Sequence, residues 1–248
     1  MLRSYRLPAL YLAYVPLLLW ADAHVAGLPQ QYALGALTFG VLGLGLLNSD
    51  RRERRVVALC VVLATGLEVF GSLIWGEYRY RFANVPLYVP AGHGMVCLFA
   101  LRAARAPLVL RHGRALALAA LAVAGAWALA GLSVIPWYLH GRRDTGGALL
   151  FPIFAVFVLR SARYRYFVGI FVATTVLELF GTGLGNWTWA VRAPVVGFSA
   201  GNPPSVIAGA YCVLDGAVLL AAAALERAWR LGRSRQHPGA VGGVAQSG

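Results

Sequence analysis

Charge is what this sequence has least of. Only 12% of its 248 residues are Asp, Glu, Lys or Arg, while 59% are hydrophobic. Soluble domains carry about 25% charged residues. The deficit excludes an ordinary soluble enzyme, and the apolar excess excludes a disordered chain. Lysine is missing altogether, so all 22 basic residues are arginine. That bias, in an Ala/Gly/Leu/Val-rich chain, is typical of a GC-rich genome. The three cysteines, Cys60, Cys97 and Cys212, all lie in apolar stretches. This excludes a disulfide framework and a CxxC metal site and leaves three small buried hydrophobes. There is no P-loop, no glycine-rich dinucleotide turn, no Ser-His-Asp order and no haem motif. What is left is an all-α, polytopic membrane helical bundle.

The apolar residues fall into eight segments, at about 7–27, 32–48, 56–76, 84–101, 115–138, 147–159, 166–186 and 203–225, most near the ~20 residues a bilayer crossing needs. With eight spans, 17 arginines share one side: Arg3, Arg6, Arg51, Arg52, Arg54, Arg55, Arg102, Arg105, Arg111, Arg114, Arg160, Arg163, Arg165, Arg227, Arg230, Arg233 and Arg235. Five share the other: Arg79, Arg81, Arg142, Arg143 and Arg192. The positive-inside rule then puts both termini in the cytoplasm of a bacterial inner membrane. The formal charge of +13 reports topology and not nucleic acid, because no soluble module exists to carry a binding groove. Ala21-Asp22-Ala23 after the first apolar run resembles a signal-peptide cleavage site. Pro8 and Pro16 interrupt that run, and it reads as a retained span. Residues 233–248, rich in Gly, Ser and Gln, predict a disordered tail.

The chain also repeats itself. Leu67-Glu68-Val69-Phe70-Gly71-Ser72 matches Leu177-Glu178-Leu179-Phe180-Gly181-Thr182. Gly76-x-Tyr78-x-Tyr80 matches Gly185-x-Trp187-x-Trp189, and Gly92-His93 falls on Gly201-Asn202. Trp20 and His24 are echoed more faintly by Trp137 and His140. The expected halves are a four-helix repeat over 1–112 and a second over 113–232. Four spans is an even number, so the two are parallel, related by an axis along the membrane normal.

An ionisable group inside a span costs at least about 2.5–3.5 kcal/mol and needs a reason. Asp22, His24, Glu68, His93, Glu178 and Asp215 qualify, with Asn202 as a neutral partner. Glu68 lies eight residues before Gly76, about 12 Å in from the helix end at 1.5 Å per residue. His93 lies at a similar depth in the next span, so the two can meet. Glu178 and Asn202 should occupy the matching place in the second half, with Asp215 deeper. Asp22 and His24 read as solvated helix-end residues, and Glu77, Arg79, Arg81, His140 and Asp144 as outer-loop residues. Gly201-Asn202-Pro203-Pro204 must break or begin a helix, and Gly92-His93-Gly94 reads as a looser kink. The aromatics at the outer ends, among them Trp75, Tyr78, Tyr80, Trp187 and Trp189, form either an interfacial belt or the wall of a pocket that steadies a cation.

The series Glu68-x-x-Gly71, Gly76-x-Tyr78-x-Tyr80, Val85-Pro86-Leu87-x-Val89-Pro90 resembles bacterioruberin-type carotenoid hydratases, polytopic membrane enzymes that add water to a terminal isoprenoid double bond. The likeness covers about 23 residues, with a fainter echo through Glu178, Gly181, Gly185, Trp187 and Trp189. The family's later Asn-Phe and Gly-Trp pairs are absent, and Gly201-Asn202-Pro203-Pro204 stands instead. The resemblance implies acid–base chemistry on an isoprenoid. The expectation is therefore a membrane enzyme for hydration, cyclisation or isomerisation of an isoprenoid or other apolar lipid. Glu68, Glu178, His93 and Asp215 are the catalytic candidates. Asn202, Trp187, Tyr78, Trp189 and Tyr80 are the substrate-binding candidates. No cofactor and no metal are expected, since no HxxxH or HExxH spacing occurs. The partners are the apolar substrate and membrane lipid. The alternative is a small-solute transporter or channel built around midplane acids.

Overall fold

The structure is a computed structural model that describes residues 3–133 and 142–236. Trp137, Tyr138, His140 and the expected tail from residue 237 lie outside the described residues. Eight α-helices occur among those described: α1 (Arg3–His24), α2 (Leu28–Leu46), α3 (Arg51–Glu68), α4 (Tyr88–Ala103), α5 (Pro107–Leu132), α6 (Thr145–Arg160), α7 (Tyr164–Gly183) and α8 (Ala208–Gln236). Each overlaps one apolar segment. Four are long and apolar enough to cross a membrane: Arg51–Trp75, Pro107–Leu132, Tyr164–Gly183 and Ala208–Leu231. Leu44, Ile74, Leu129 and Leu220 are each more than two-thirds exposed. A helical surface so covered in large apolar side chains belongs against lipid.

Local chemistry explains where the helices begin. Asp50 caps α3 by accepting the Glu53 N–H at 2.8 Å. That bond holds its exposed carboxyl below the ordinary value. Asp144 caps α6 through the Gly147 N–H at 3.0 Å. Pro107 opens α5 eight residues before the apolar segment suggests, because proline suits a first helical turn. The last helix begins at Ala208, later than expected, since residues 201–207 are non-helical, and it runs on to Gln236 into the expected tail. Pro8 and Pro16 sit inside an unbroken α1.

The arginine-rich helix ends are tied to one another. Buried Glu53 accepts from Arg102 at 2.8 Å and Arg105 at 2.6 Å, joining α3 to the end of α4. Arg54 donates to the carbonyls of Leu46 and Leu47 at the end of α2. α4 packs against α1, α2, α3 and α7, and α8 packs against α3, α6 and α7. A ring of α3, α4, α7 and α8 is thus the frame on which the site is hung.

At the opposite end, two three-residue strands cross-link the halves. β1 (Tyr78–Tyr80) pairs antiparallel with β2 (Trp187–Trp189), with Tyr78 opposite Trp189 and Tyr80 opposite Trp187. Arg81 N–H to Asn186 O at 2.9 Å and Ala190 N–H to Glu77 O at 2.8 Å extend the ladder symmetrically. Each strand follows a glycine with positive φ, Gly76 at 75° and Gly185 at 76°, a conformation glycine adopts without steric cost. Before Gly76, α3 widens into a π-helical turn over Val69–Trp75, a distortion that often marks functional sites.

Candidate active site

The repeated Glu-x-x-Gly places a carboxylate and a side-chain gap one turn apart on the same helix face. The ribbon aromatics fill the gaps. A Cβ on Gly71 would stand 3.0 Å from the Tyr78 hydroxyl, and one on Gly181 would stand 1.8 Å from the Trp187 ring. With the aromatic laid over the glycine, its polar tip reaches the glutamate. Tyr78 and Tyr80 both donate to Glu68 Oε2, at 2.8 and 2.7 Å. Trp187 and Trp189 both donate through their indole N–H to Glu178 Oε2, at 3.1 and 3.0 Å. Burial, followed by the Glu68 charge, pushes both ribbon phenols above their ordinary range, so they remain O–H donors.

The other oxygens differ. Glu68 Oε1 lies 2.7 Å from His93 Nε2, joining α3 to α4 as the matching depths suggest. His93 Nδ1 is buried with no partner among the described residues. The His93 ring stacks on Tyr211 of α8, centroids 5.0 Å apart and 12° from parallel. Glu178 Oε1 takes no hydrogen bond from the described residues. A cavity of about 460 Å³ lies between these groups, and Glu68, Glu178, His93, Tyr78, Tyr80, Trp187, Trp189 and Tyr211 all border it. Leu67 and Phe70 also border it while 54% and 49% exposed, so part of its rim is on the apolar outside of α3. Glu77 lies at the ribbon end of the wall, and burial raises its carboxyl.

Two candidates stand apart from the cavity. Asn202 is exposed and accepts the Trp189 backbone N–H at 3.0 Å, so it braces the ribbon and does not face Glu178. Its sequence counterpart His93 sits within α4, whereas Asn202 precedes α8, and the register of the repeat is lost there. Tyr211, not Asn202, is what α8 presents to His93. Nor is Gly92-His93-Gly94 a kink. It is helical, and Gly94 lets Leu42 and Val61 pack close, each within 2.8 Å of where a Cβ would be.

Asp215 lies one helical turn beyond Tyr211 and does not border the cavity. Tyr166 donates to its Oδ1 at 2.7 Å, and Cys60 Sγ lies 3.9 Å from the same oxygen. The Tyr166 hydroxyl oxygen also lies 3.4 Å from Cys97 Sγ. One residue from each of α3, α4, α7 and α8 therefore forms a buried plug toward the arginine-rich end. Cys60, Cys97 and Asp215 bring three ligand-type atoms within 4.8 Å of one another, and the hydroxyl and thiol both fall on one oxygen of the carboxylate.

Several outer residues are more deeply built in than their sequence positions suggest. Asp22 is fully buried and accepts from Gln31, Tyr88 and Asn186 at 2.8, 3.0 and 2.7 Å. Arg81 caps α1 through the carbonyls of Asp22, Ala23 and Val25. Asp144 is also buried and holds Gly201 and Ser205 N–H groups as well as its own helix start. His24 is the exception, exposed and bonded among the described residues only to the Trp20 carbonyl at 2.7 Å. Compared with known proteins, the chain matches no family model, no curated protein and no solved structure.

Proposed function

We propose that the protein is an integral membrane enzyme that protonates a carbon–carbon double bond of an isoprenoid or other apolar lipid. The observation that carries this reading is the pairing of two buried glutamates on one largely apolar cavity, each held by aromatic donors. All eight helices cross the bacterial inner membrane, with the arginine-rich end and both termini in the cytoplasm, as two parallel repeats of four. The matched contacts of Glu68 and Glu178, and the symmetric ribbon, support the repeat. The limited likeness to carotenoid hydratases supports the substrate class.

Glu68 and His93 are the proton-handling half. Histidine is the side chain that changes charge near neutrality, and phenols can pass a proton on. The indoles beside Glu178 can only donate a hydrogen bond. The acid gives its proton to one alkene carbon, whose π pair forms the new C–H bond, and the other carbon becomes a tertiary cation. That cation takes water, attacks a second double bond, or loses a neighbouring proton. In each case the proton released returns to the Glu68–His93 pair, so the enzyme is restored. Hydration, cyclisation and isomerisation share the first step. Aromatic faces lower the energy of the cation, and exclusion of water strengthens every charge interaction.

A transport reading needs a polar path from the cavity toward the cytoplasm. Asp215 would be its next station, but its carboxylate is committed to Tyr166 and Cys60 behind a buried plug. The enzymatic reading is therefore preferred. Glu68→Gln keeps shape while removing the acid, and Glu178→Gln keeps shape while removing the carboxylate that steadies the cation. Glu68→Gln should lower turnover by about the 10²–10⁴-fold typical of a lost general acid and Glu178→Gln should lower it as well, with both purified proteins still folded in detergent. Full turnover in the double Gln variant would end acid catalysis as an explanation.

A further inference from the structure

Among the described residues no arginine lines the cavity, although the chain has 22. Tyrosines aside, its ionisable lining is Glu68, Glu77, Glu178 and His93. His93 is already 2.7 Å from Glu68. Glu178 makes no ion pair among the described residues, and indole N–H groups supply hydrogen bonds but no charge. A carboxylate at membrane depth without a counter-charge is costly. Around it stand aromatic faces: Tyr78 and Trp189 with centroids 4.7 Å apart, and Tyr80 and Trp187 at 5.9 Å. Carboxylate plus aromatic walls is the chemistry that recognises a positive centre wrapped in alkyl groups. A bare metal ion fits poorly, because apolar walls cannot replace its hydration shell. With a neutral lipid Glu178 must stay protonated, whereas a bound cation lets it ionise.

We infer that this cavity binds a monovalent organic cation carried on a hydrocarbon chain, seated against Glu178 on the cavity side of the ribbon aromatics. An alkylammonium ion and a tertiary carbocation present this same chemistry, one permanent and one formed in place. The hydrocarbon chain reaches the site past Leu67 and Phe70, which are at once on its wall and on the lipid-facing side of α3. The inference rests on the charge and shape of the cavity, and it holds whether or not the proposed reaction occurs.

The test is a titration of the full-length protein in a non-ionic detergent, read by tryptophan fluorescence and by calorimetry. The probes are dodecyltrimethylammonium and a neutral hydrocarbon of equal length ending in a tert-butyl group. The ammonium ion should bind at least tenfold more tightly. Glu178→Gln should bring the ratio near one. Glu68→Gln should change it less than threefold, because the carboxylate it removes already has His93 as partner. A wild-type ratio near one overturns the inference, and so does a ratio unchanged in Glu178→Gln. If Glu178→Gln does not fold, the wild-type ratio still decides. Glu68→Gln separates the two readings: turnover lost with cation preference kept supports both, whereas turnover kept with preference kept retains the binding site and removes Glu68 acid catalysis.

Discussion

Gly181 shows how much of this site depends on the absence of a side chain. Its missing Cβ is the space Trp187 occupies on the way to Glu178. Gly181→Ala should displace the indole, break the 3.1 Å hydrogen bond and destabilise the protein by about 1–3 kcal/mol, the usual range for overpacking. Gly66→Ala is the control. Nothing lies within 4 Å of a Cβ there, and removing a mid-helix glycine should stabilise α3 by roughly 0.5–1 kcal/mol. Thermal unfolding of both variants in detergent, with tryptophan emission recorded in parallel, checks the pair. Gly71→Ala should fall between them, since the Tyr78 hydroxyl at 3.0 Å can shift. At this scale the sequence was informative where partners share a helix or adjoining helices. Glu68 and His93 were paired by depth alone. In the sequence Asp22 reads as a solvated helix end, and the structure buries it because its partners Gln31, Tyr88 and Asn186 come from three distant places. Tyr211 was passed over although it precedes Asp215 by four positions on the same helix face, a spacing that could have found it.

Among the elements, the helices were legible and the ribbon was not. Apolar runs announce themselves, and each of the eight segments overlaps a helix, four of which are long and apolar enough to cross a membrane. Three-residue strands have no periodicity to read, and β1 and β2 form only by pairing with each other across the molecule. The paired Gly-x-aromatic-x-aromatic motifs were visible as a repeat, but their antiparallel pairing followed only from the fold. The register failed where the prolines of 203–204 forced a non-helical segment into one half while Pro90 was absorbed in the first turn of α4. Orientation of the elements can be tested directly. Val195 is 99% exposed at the ribbon end, Ala162 is exposed between α6 and α7 at the arginine-rich end, and the native cysteines are buried. Val195→Cys should label with a membrane-impermeant maleimide in intact cells, and Ala162→Cys only after permeabilisation. The reverse pattern contradicts the proposed topology.

The whole molecule reads as a frame of four helices with two polar layers. The outer layer, Glu68, His93, Glu178 and Tyr211, faces a cavity. The inner one, Cys60, Cys97, Tyr166 and Asp215, closes on itself. An open layer above a closed brace suits the proposed chemistry on a substrate that enters from the lipid better than passage of a solute. The most direct measurement is deuterium uptake. The protein in liposomes is incubated in D2O with acyclic polyene isoprenoids, and the recovered lipids are analysed by mass spectrometry and NMR. Alkene protonation predicts one new carbon–deuterium bond per turnover, whether the product is hydrated, cyclised or isomerised, and its loss in the Glu68→Gln, Glu178→Gln double variant. Product without solvent-derived deuterium, no product from any of the polyenes, or uptake that persists in the double variant would contradict it.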